Sequence, residues 1–287
     1  MMSLYYEDSD GTIIDFMSNG IYAQEPETLT ANSWNYTTIS GVNDLGKVKQ
    51  FYKDTQETSL TLDIMASNEK EFNEMMYKMH KSFDRDIRRL QPGKLWWNGF
   101  YKEVFVVEVS HSGFDELFES VEKTIKLISV YPYWIRKNTY HYMKQVEIEG
   151  KLDYGLDGFF DGFDYDEGSL DYDTSEEIGS LVNDCIESAN FEIIFYGPAE
   201  IPSVRIGGHE YELYITLEQG EYAKINSITK KIYKYNSVGV ETNIFSMRNK
   251  DSYIFEKINE GENAISKDKD LSVDISIFDE RGEPEWI

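Results

Sequence analysis

Eight carboxylates, six aromatic rings and four glycines fall between Asp153 and Asp173, with no lysine or arginine among them. The chemistry open to such a tract is ligation of a hard divalent cation by carboxylate oxygens. Asp164-x-Asp166-x-Gly168 and Asp171-x-Asp173-x-Ser175 have the spacing of the first half of a calcium-binding loop. Neither continues with glycine at the sixth position or glutamate at the twelfth, and no helical pattern flanks them. An irregular calcium site is the lesser alternative. The main reading is a solvated or partner-facing acidic loop. Its candidate docking residues are Asp153, Tyr154, Asp157, Phe159, Asp161, Phe163, Asp164, Tyr165, Asp166 and Tyr172.

Other chemistry leaves weaker traces. GVNDLGK at 41–47 spaces Gly41, Gly46 and Lys47 like a phosphate-binding loop, but Val48 stands where the magnesium-binding hydroxyl is needed. The stretch also runs toward strand-like residues rather than a helix N-terminus. His80, His111, His141 and His209 show no two-histidine metal spacing, and no GxSxG nucleophile motif occurs. Cys185 is the only cysteine, so no internal disulfide forms, and it reads as a small core residue. With 53 acidic residues, no single carboxylate pair stands out for glycoside hydrolysis. We expect no enzyme activity, cofactor or metal.

The net charge of −25 argues against tight binding to nucleic-acid phosphates, which needs clustered lysine and arginine. No apolar run reaches the length of a membrane span. The N-terminus MMSLYYEDSDG lacks the basic start and apolar stretch of a signal peptide, so synthesis in the cytoplasm is expected. Aromatics make up 15 % of the chain, with 21 tyrosines, which suits strands and large contact surfaces.

The elements that carry these residues are mostly strands. SLTLDIM at 59–65 alternates Leu60, Leu62 and Ile64 on one face. A helix follows over 68–90. It opens with Asn68 and Glu71 in capping-box spacing and carries Phe72, Met75, Met76, Met79, Phe83, Ile87 and Leu90 on one stripe. Pro92-Gly93 stops it. Strands are expected at about 95–109 and 121–130, and Tyr131-Pro132-Tyr133-Trp134 closes the first domain near 135. The remainder reads as strands at 191–196, 211–217, 223–228, 230–235, 252–258 and 271–277, separated by turn residues. Close spacing without a helical pattern predicts an antiparallel sandwich over 136–287, containing the acidic loop.

The order of short motifs is informative. Tyr131-Pro132-Tyr133-Trp134 precedes the Asp/Tyr/Gly tract. Then come Phe195-Tyr196-Gly197-Pro198, Ile201 to Gly208 (IPSVRIGG), Tyr253-Ile254-Phe255, Ile258 to Asn263 (INEGEN) and Arg281 to Trp286 (RGEPEW). This series resembles the distal tail protein family of long-tailed bacteriophages and prophage tails, across nearly the whole chain. One departure is that glycines stand where relatives often carry prolines between Asp-Tyr units, which makes the tract more flexible.

The resemblance implies an N-terminal split β-barrel with one helix (1–135) and a C-terminal galectin-like β-sandwich (136–287). It further implies a homo-hexameric ring at the virion tail tip. The ring would join the tail tube protein to the tail-tip or lysin protein and carry receptor-binding or baseplate proteins. DNA would pass through without specific binding, aided by an acidic lumen. Two other readings are a carbohydrate-binding adhesin, with Trp34, Trp96, Trp97, Trp134 and Trp286 as candidate platforms, and a glycoside hydrolase.

Overall fold

The computed structural model describes residues 3–40, 46–115, 120–144 and 176–286. The chain divides into two compact units. One comprises residues 1–137 with 279–287, the other 138–278. The sequence-based boundary near 135 ran the second domain to 287. In this division, Asp279 onward goes with the first unit.

The first unit contains β1 (Leu4–Glu7), β2 (Ile13–Asp15), β3 (Ile21–Gln24), β4 (Asn35–Ser40), β5 (Gly46–Tyr52) and β6 (Gln56–Met65). After these come α1 (Glu69–Arg89), β7 (Gly93–Trp97), β8 (Phe100–Asp115) and β9 (Ser120–Ser129). Seven of the strands pair antiparallel in the order β2-β1-β7-β8-β9-β6-β3. The expected alternation is present: Leu60, Leu62 and Ile64 of β6 and Val121, Ile125 and Leu127 of β9 all point into one core. β8 is longer than expected. It pairs with β7 through residues 100–104 and with β9 beyond that, bulging after Val106 and Ser112.

The helix starts as its sequence dictates. Asn68 is extended and its side chain accepts from the Glu71 amide, while Glu71 accepts from the Ser67 amide. Leu90, in the left-handed region, ends it. Met79 and Phe83 are buried in the core, and Phe72, Met75 and Met76 pack at its margin. The last turn departs from the expected stripe. Ile87 and Leu90 are exposed, and the inward positions there are Ser82 and Asp86. The polar substitution has a partner: Asp86 accepts from the Tyr6 hydroxyl and the Ser9 amide. Gly93 leaves room for this. A Cβ there would lie 2.2 Å from the Tyr6 hydroxyl oxygen and 2.8 Å from Asp86 Oδ2.

β10 (Trp134–Tyr142) leads into the second unit. There follow β11 (Glu176–Asn183), β12 (Asn190–Tyr196), β13 (Ala199–Glu200), β14 (Ser203–Ile206), β15 (His209–Glu212) and β16 (Thr216–Leu217). The last five are β17 (Tyr222–Asn226), β18 (Lys231–Tyr235), β19 (Glu241–Asn243), β20 (Gly261–Asp268) and β21 (Ser272–Arg281). One sheet runs β19-β18-β17-β12-β21-β10 and a second runs β11-β20-β14-β15. Inward residues of both form one core, with Phe191, Ile193, Ile225, Val273 and Ile275 from the first sheet and Leu181, Val204, Ile206 and Ile265 from the second. This is a mainly β fold with an antiparallel sandwich, as the strand spacing predicted.

Two expected strands differ. The 211–217 alternation is broken after Glu212, where Leu213 bridges Arg248 and the chain turns before the short β16. Residues 252–258 form no strand. Ile254 and Phe255 are adjacent and both buried, which a strand's alternation forbids, and the Glu256 amide closes a turn onto the Tyr253 carbonyl. Gly197 of the Gly-Pro motif marks a close approach, since a Cβ there would meet the Glu218 carbonyl oxygen at 2.1 Å. Cys185 is half-buried rather than enclosed, against the second core.

Candidate docking surface

The ten candidate docking residues of the acidic tract, the calcium-like spacings and residues 41–45 of the phosphate-loop-like stretch lie outside the described residues. Lys47 of that stretch is on β5, consistent with its reading as a turn that enters a strand. Among the described residues no group of three or more metal-ligating side chains converges. The four histidines are separate from one another. His80 lies beside Asp84, His111 is exposed on β8, His141 pairs with Asp274 at 2.7 Å, and His209 faces the Tyr253 carbonyl and Ser252.

Of the five candidate tryptophans, two lie inside the core. Trp97 and Trp134 are fully buried and meet edge to face. Trp96 donates its indole N–H to Glu7 and stacks on Tyr5. Trp286 is half-exposed, set edge-on to Trp97. Trp34 belongs to a different feature.

That feature is the β4–β5 hairpin. The two strands pair only with each other among the described residues. The register sets Tyr36 opposite Phe51 and Thr38 opposite Val48 on one face, with Ile39 and Tyr52 on the other. Between the first two pairs a bulge leaves Lys49 as the extra residue. Tyr36 is 62 % exposed, Phe51 59 %, Ile39 52 % and Val48 51 %. An isolated two-stranded ribbon is marginal in water, and this one shows apolar side chains on both faces. It also carries Lys47 and Lys49 in an acidic chain.

The base of the hairpin is firm. Lys53 Nζ sits 5.1 Å from the Trp34 ring centre and 4.9 Å from that of Tyr133. It donates to Asn32 Oδ1 at 2.6 Å and to the Pro132 carbonyl. Burial pulls the Lys53 pKa below its ordinary value. The Tyr131-Pro132-Tyr133-Trp134 motif therefore acts locally. Tyr133 and the Pro132 carbonyl hold the hairpin root, and Trp134 fills the core. A well-bonded root thus carries a ribbon whose apolar side chains are exposed. In sequence, YTTIS and KVKQFY carry apolar residues at 36 and 39 and at 48, 51 and 52, so neither shows the one-faced alternation of a half-buried strand.

Comparison with protein-family models and with curated protein sequences gives no match. Solved structures do match, over the whole chain. A chain of the phage P2 baseplate in its activated conformation with Ca aligns over 100 % of both chains, with TM-score 0.65 and 15 % identity. A chain of the same baseplate with Sr covers 97 % of this chain and 98 % of that one, with TM-score 0.63 and 16 % identity. The SPP1 Dit protein, described as a paradigm of hub adsorption apparatus in phages that infect Gram-positive hosts, covers 98 % and 99 %, with TM-score 0.56 and 10 % identity. The chain thus has the fold of phage baseplate and Dit hub chains.

Proposed function

We propose that this protein is a structural component of a bacteriophage tail, a hub ring of six copies at the tail tip. The observation that carries the reading is the end-to-end match in fold to baseplate and Dit hub chains, across both units. The order of motifs in the sequence points the same way. A closed ring needs two different complementary faces on each subunit. The β4–β5 hairpin is our candidate for one of them.

In this reading the first unit is the ring-forming split barrel, and the second is a galectin-like sandwich that carries receptor-binding or baseplate proteins. The tail tube and a tail-tip or lysin protein bind the two ends of the ring. The 153–173 tract serves as a docking segment, on the strength of its alternating acids and aromatics. DNA passes an acidic lumen without being held. No catalytic step is assigned.

Light scattering of the purified chain, with electron microscopy of labelled tails, tests the proposal. We expect a mass of six subunits or incorporation as a ring near the tip. A label distributed along the whole tube, or missing from tails, overturns it. Replacing 153–173 by a Gly/Ser linker should leave both units folded and weaken partner capture. Unchanged capture removes the docking role.

A further inference from the structure

One stretch of the second unit runs against the charge of the chain. Residues 230–257 hold six cations, Lys230, Lys231, Lys234, Arg248, Lys250 and Lys257, against three acids, Glu241, Asp251 and Glu256. The whole chain has 28 basic and 53 acidic residues. Lys234 pairs with Glu221. The other five cations have no carboxylate partner among the described residues.

Two of them meet on one aromatic cluster. Lys230 Nζ lies 5.6 Å from the Tyr253 ring centre and 5.2 Å from that of Phe255. Arg248 lies over Phe245, its guanidinium carbon 3.9 Å from the ring centre, and donates to the Phe245 carbonyl at 2.7 Å. Phe255 joins the halves, stacked on Phe245 and edge-on to Tyr253. Phe255 is buried, but Tyr253 is 58 % exposed, Met247 48 % and Phe245 39 %. Lys230 has a φ of 56°, in the left-handed region where glycine is the least costly residue. The turn carries a lysine there instead, and its side chain reaches the rings. Ring contacts orient a cation without neutralising it.

Exposed rings beside uncompensated cations suit a ligand that brings carboxylates and rings of its own. This sequence contains such a ligand. Residues 153–173 hold eight carboxylates and six aromatic rings with no lysine or arginine. A ring of identical subunits needs two different, complementary features on each copy. An acidic aromatic segment and a basic aromatic cluster are such a pair. We infer that the Lys230, Phe245, Met247, Arg248 and Tyr253 cluster is a docking site whose occupant is the 153–173 segment of a neighbouring copy. The inference rests on the ring and docking reading given above and names the partner of that segment as a second copy of the chain.

The test uses a labelled peptide of residues 153–173, titrated by fluorescence anisotropy onto the chain in which that segment is a Gly/Ser linker. The peptide should bind, and several-fold more weakly as salt rises from about 0.05 to 0.5 M. Lys230→Glu with Arg248→Glu should weaken it at least about tenfold. Because Arg248 also holds the Phe245 carbonyl, Lys230→Glu with Tyr253→Ser repeats the test at two exposed side chains. A peptide with its six aromatics changed to serine should also bind at least about tenfold more weakly. No binding of the peptide, full binding by both double variants, or equal binding of the serine peptide overturns the inference.

Carbodiimide coupling of the full chain, mixed from heavy-nitrogen and unlabelled copies, identifies the source of the segment. Lys230 should couple to carboxylates of 153–173 in mixed-label pairs. Coupling in same-label pairs alone overturns the neighbouring copy as the occupant. Light scattering of the same sample separates this result from the ring reading. A mass of six copies with same-label pairs alone sinks the inference and keeps the ring. Mixed pairs at another mass keep the inference and sink the six-copy ring.

Discussion

The interiors of the two units treat polar groups differently. In the second unit buried polar side chains are bonded in place. Asn183 donates to the Ile258 and Asn259 carbonyls, Asn263 to those of Asn259 and Gly261, and Ser227 joins Asn190 to the Phe191 amide. In the first unit the orphans accumulate. Among the described residues, the buried side-chain atoms without a hydrogen bond are on Ser9, Trp97, Ser129, Trp134 and Arg136, all in this unit. Lys102 and Lys123 are buried there as well, and burial pulls Lys123 down to about 8. The exposed hairpin is also in this unit. A buried polar group without a partner costs stability, so its retention calls for a separate reason. The second unit is a finished sandwich. The first keeps unmatched buried polar atoms and a ribbon left uncovered among the described residues.

The comparison can be broken in order of effect. Phe83→Ala should destabilise the first unit by about 3–5 kcal/mol in denaturant titration, because the ring is buried against Tyr6 and the sheet. A loss below about 0.5 kcal/mol would make the helix face a docking surface instead. Asp86→Ala should cost about 2–3 kcal/mol, since it strands the Tyr6 hydroxyl and the Ser9 amide. The matching change in the second unit, Asn263→Ala, frees two carbonyls beside a turn and should cost about 1–2 kcal/mol. If Asn263→Ala costs more than Asp86→Ala, the contrast between the interiors fails.

Acid should act on the first unit through Asp8. Burial by itself would raise this carboxyl, but hydrogen bonds from Ser82 and from the Thr12 and Asp10 amides outweigh it and hold the pKa below the usual range. The carboxylate's contribution is therefore complete at neutral pH and is lost as pH falls below about 4. Denaturation midpoints taken from pH 7 to pH 3 should fall more steeply for the wild type than for Asp8→Asn. The smallest effect on folding should come from Phe51→Ser on the hairpin, within about 0.5 kcal/mol. The same variant should shift the oligomer toward monomer in light scattering. An intact ring would remove the hairpin from the interface.

These contrasts were partly legible in the chain. Leu60, Leu62 and Ile64 advertise a strand because alternate residues share a face, and Asn68 with Glu71 advertises a helix start because the cap is local. Ile254 and Phe255 misled because hydrophobic content suggests a strand where a turn buries both. Asp86 and Lys102 were missed for a shared reason. A charged residue at an inward position is invisible until its partners, such as Tyr6 and Gln56, arrive from distant sequence. The hairpin was hard to read because Tyr36 and Ile39, like Val48 and Tyr52, fall on opposite faces and leave no alternating stripe. The acidic tract, the loudest feature of the sequence, lies outside the described residues.

Residues 279–286 tie the closing of the first unit to a distant stretch of sequence. Arg281 bridges Asp279 and Glu285, Arg136 reaches both of those acids, Tyr131 donates to Glu280, and Trp286 closes on Trp97. Asn98 binds the carbonyl of Trp286, 188 positions later. Sealing the first unit therefore requires contacts that reach across the whole of residues 138–278. Such non-local contacts pay their loop-closure entropy before they are rewarded, so the local strand pairs and the helix of the first unit should form early and the Trp286–Trp97 contact late in refolding.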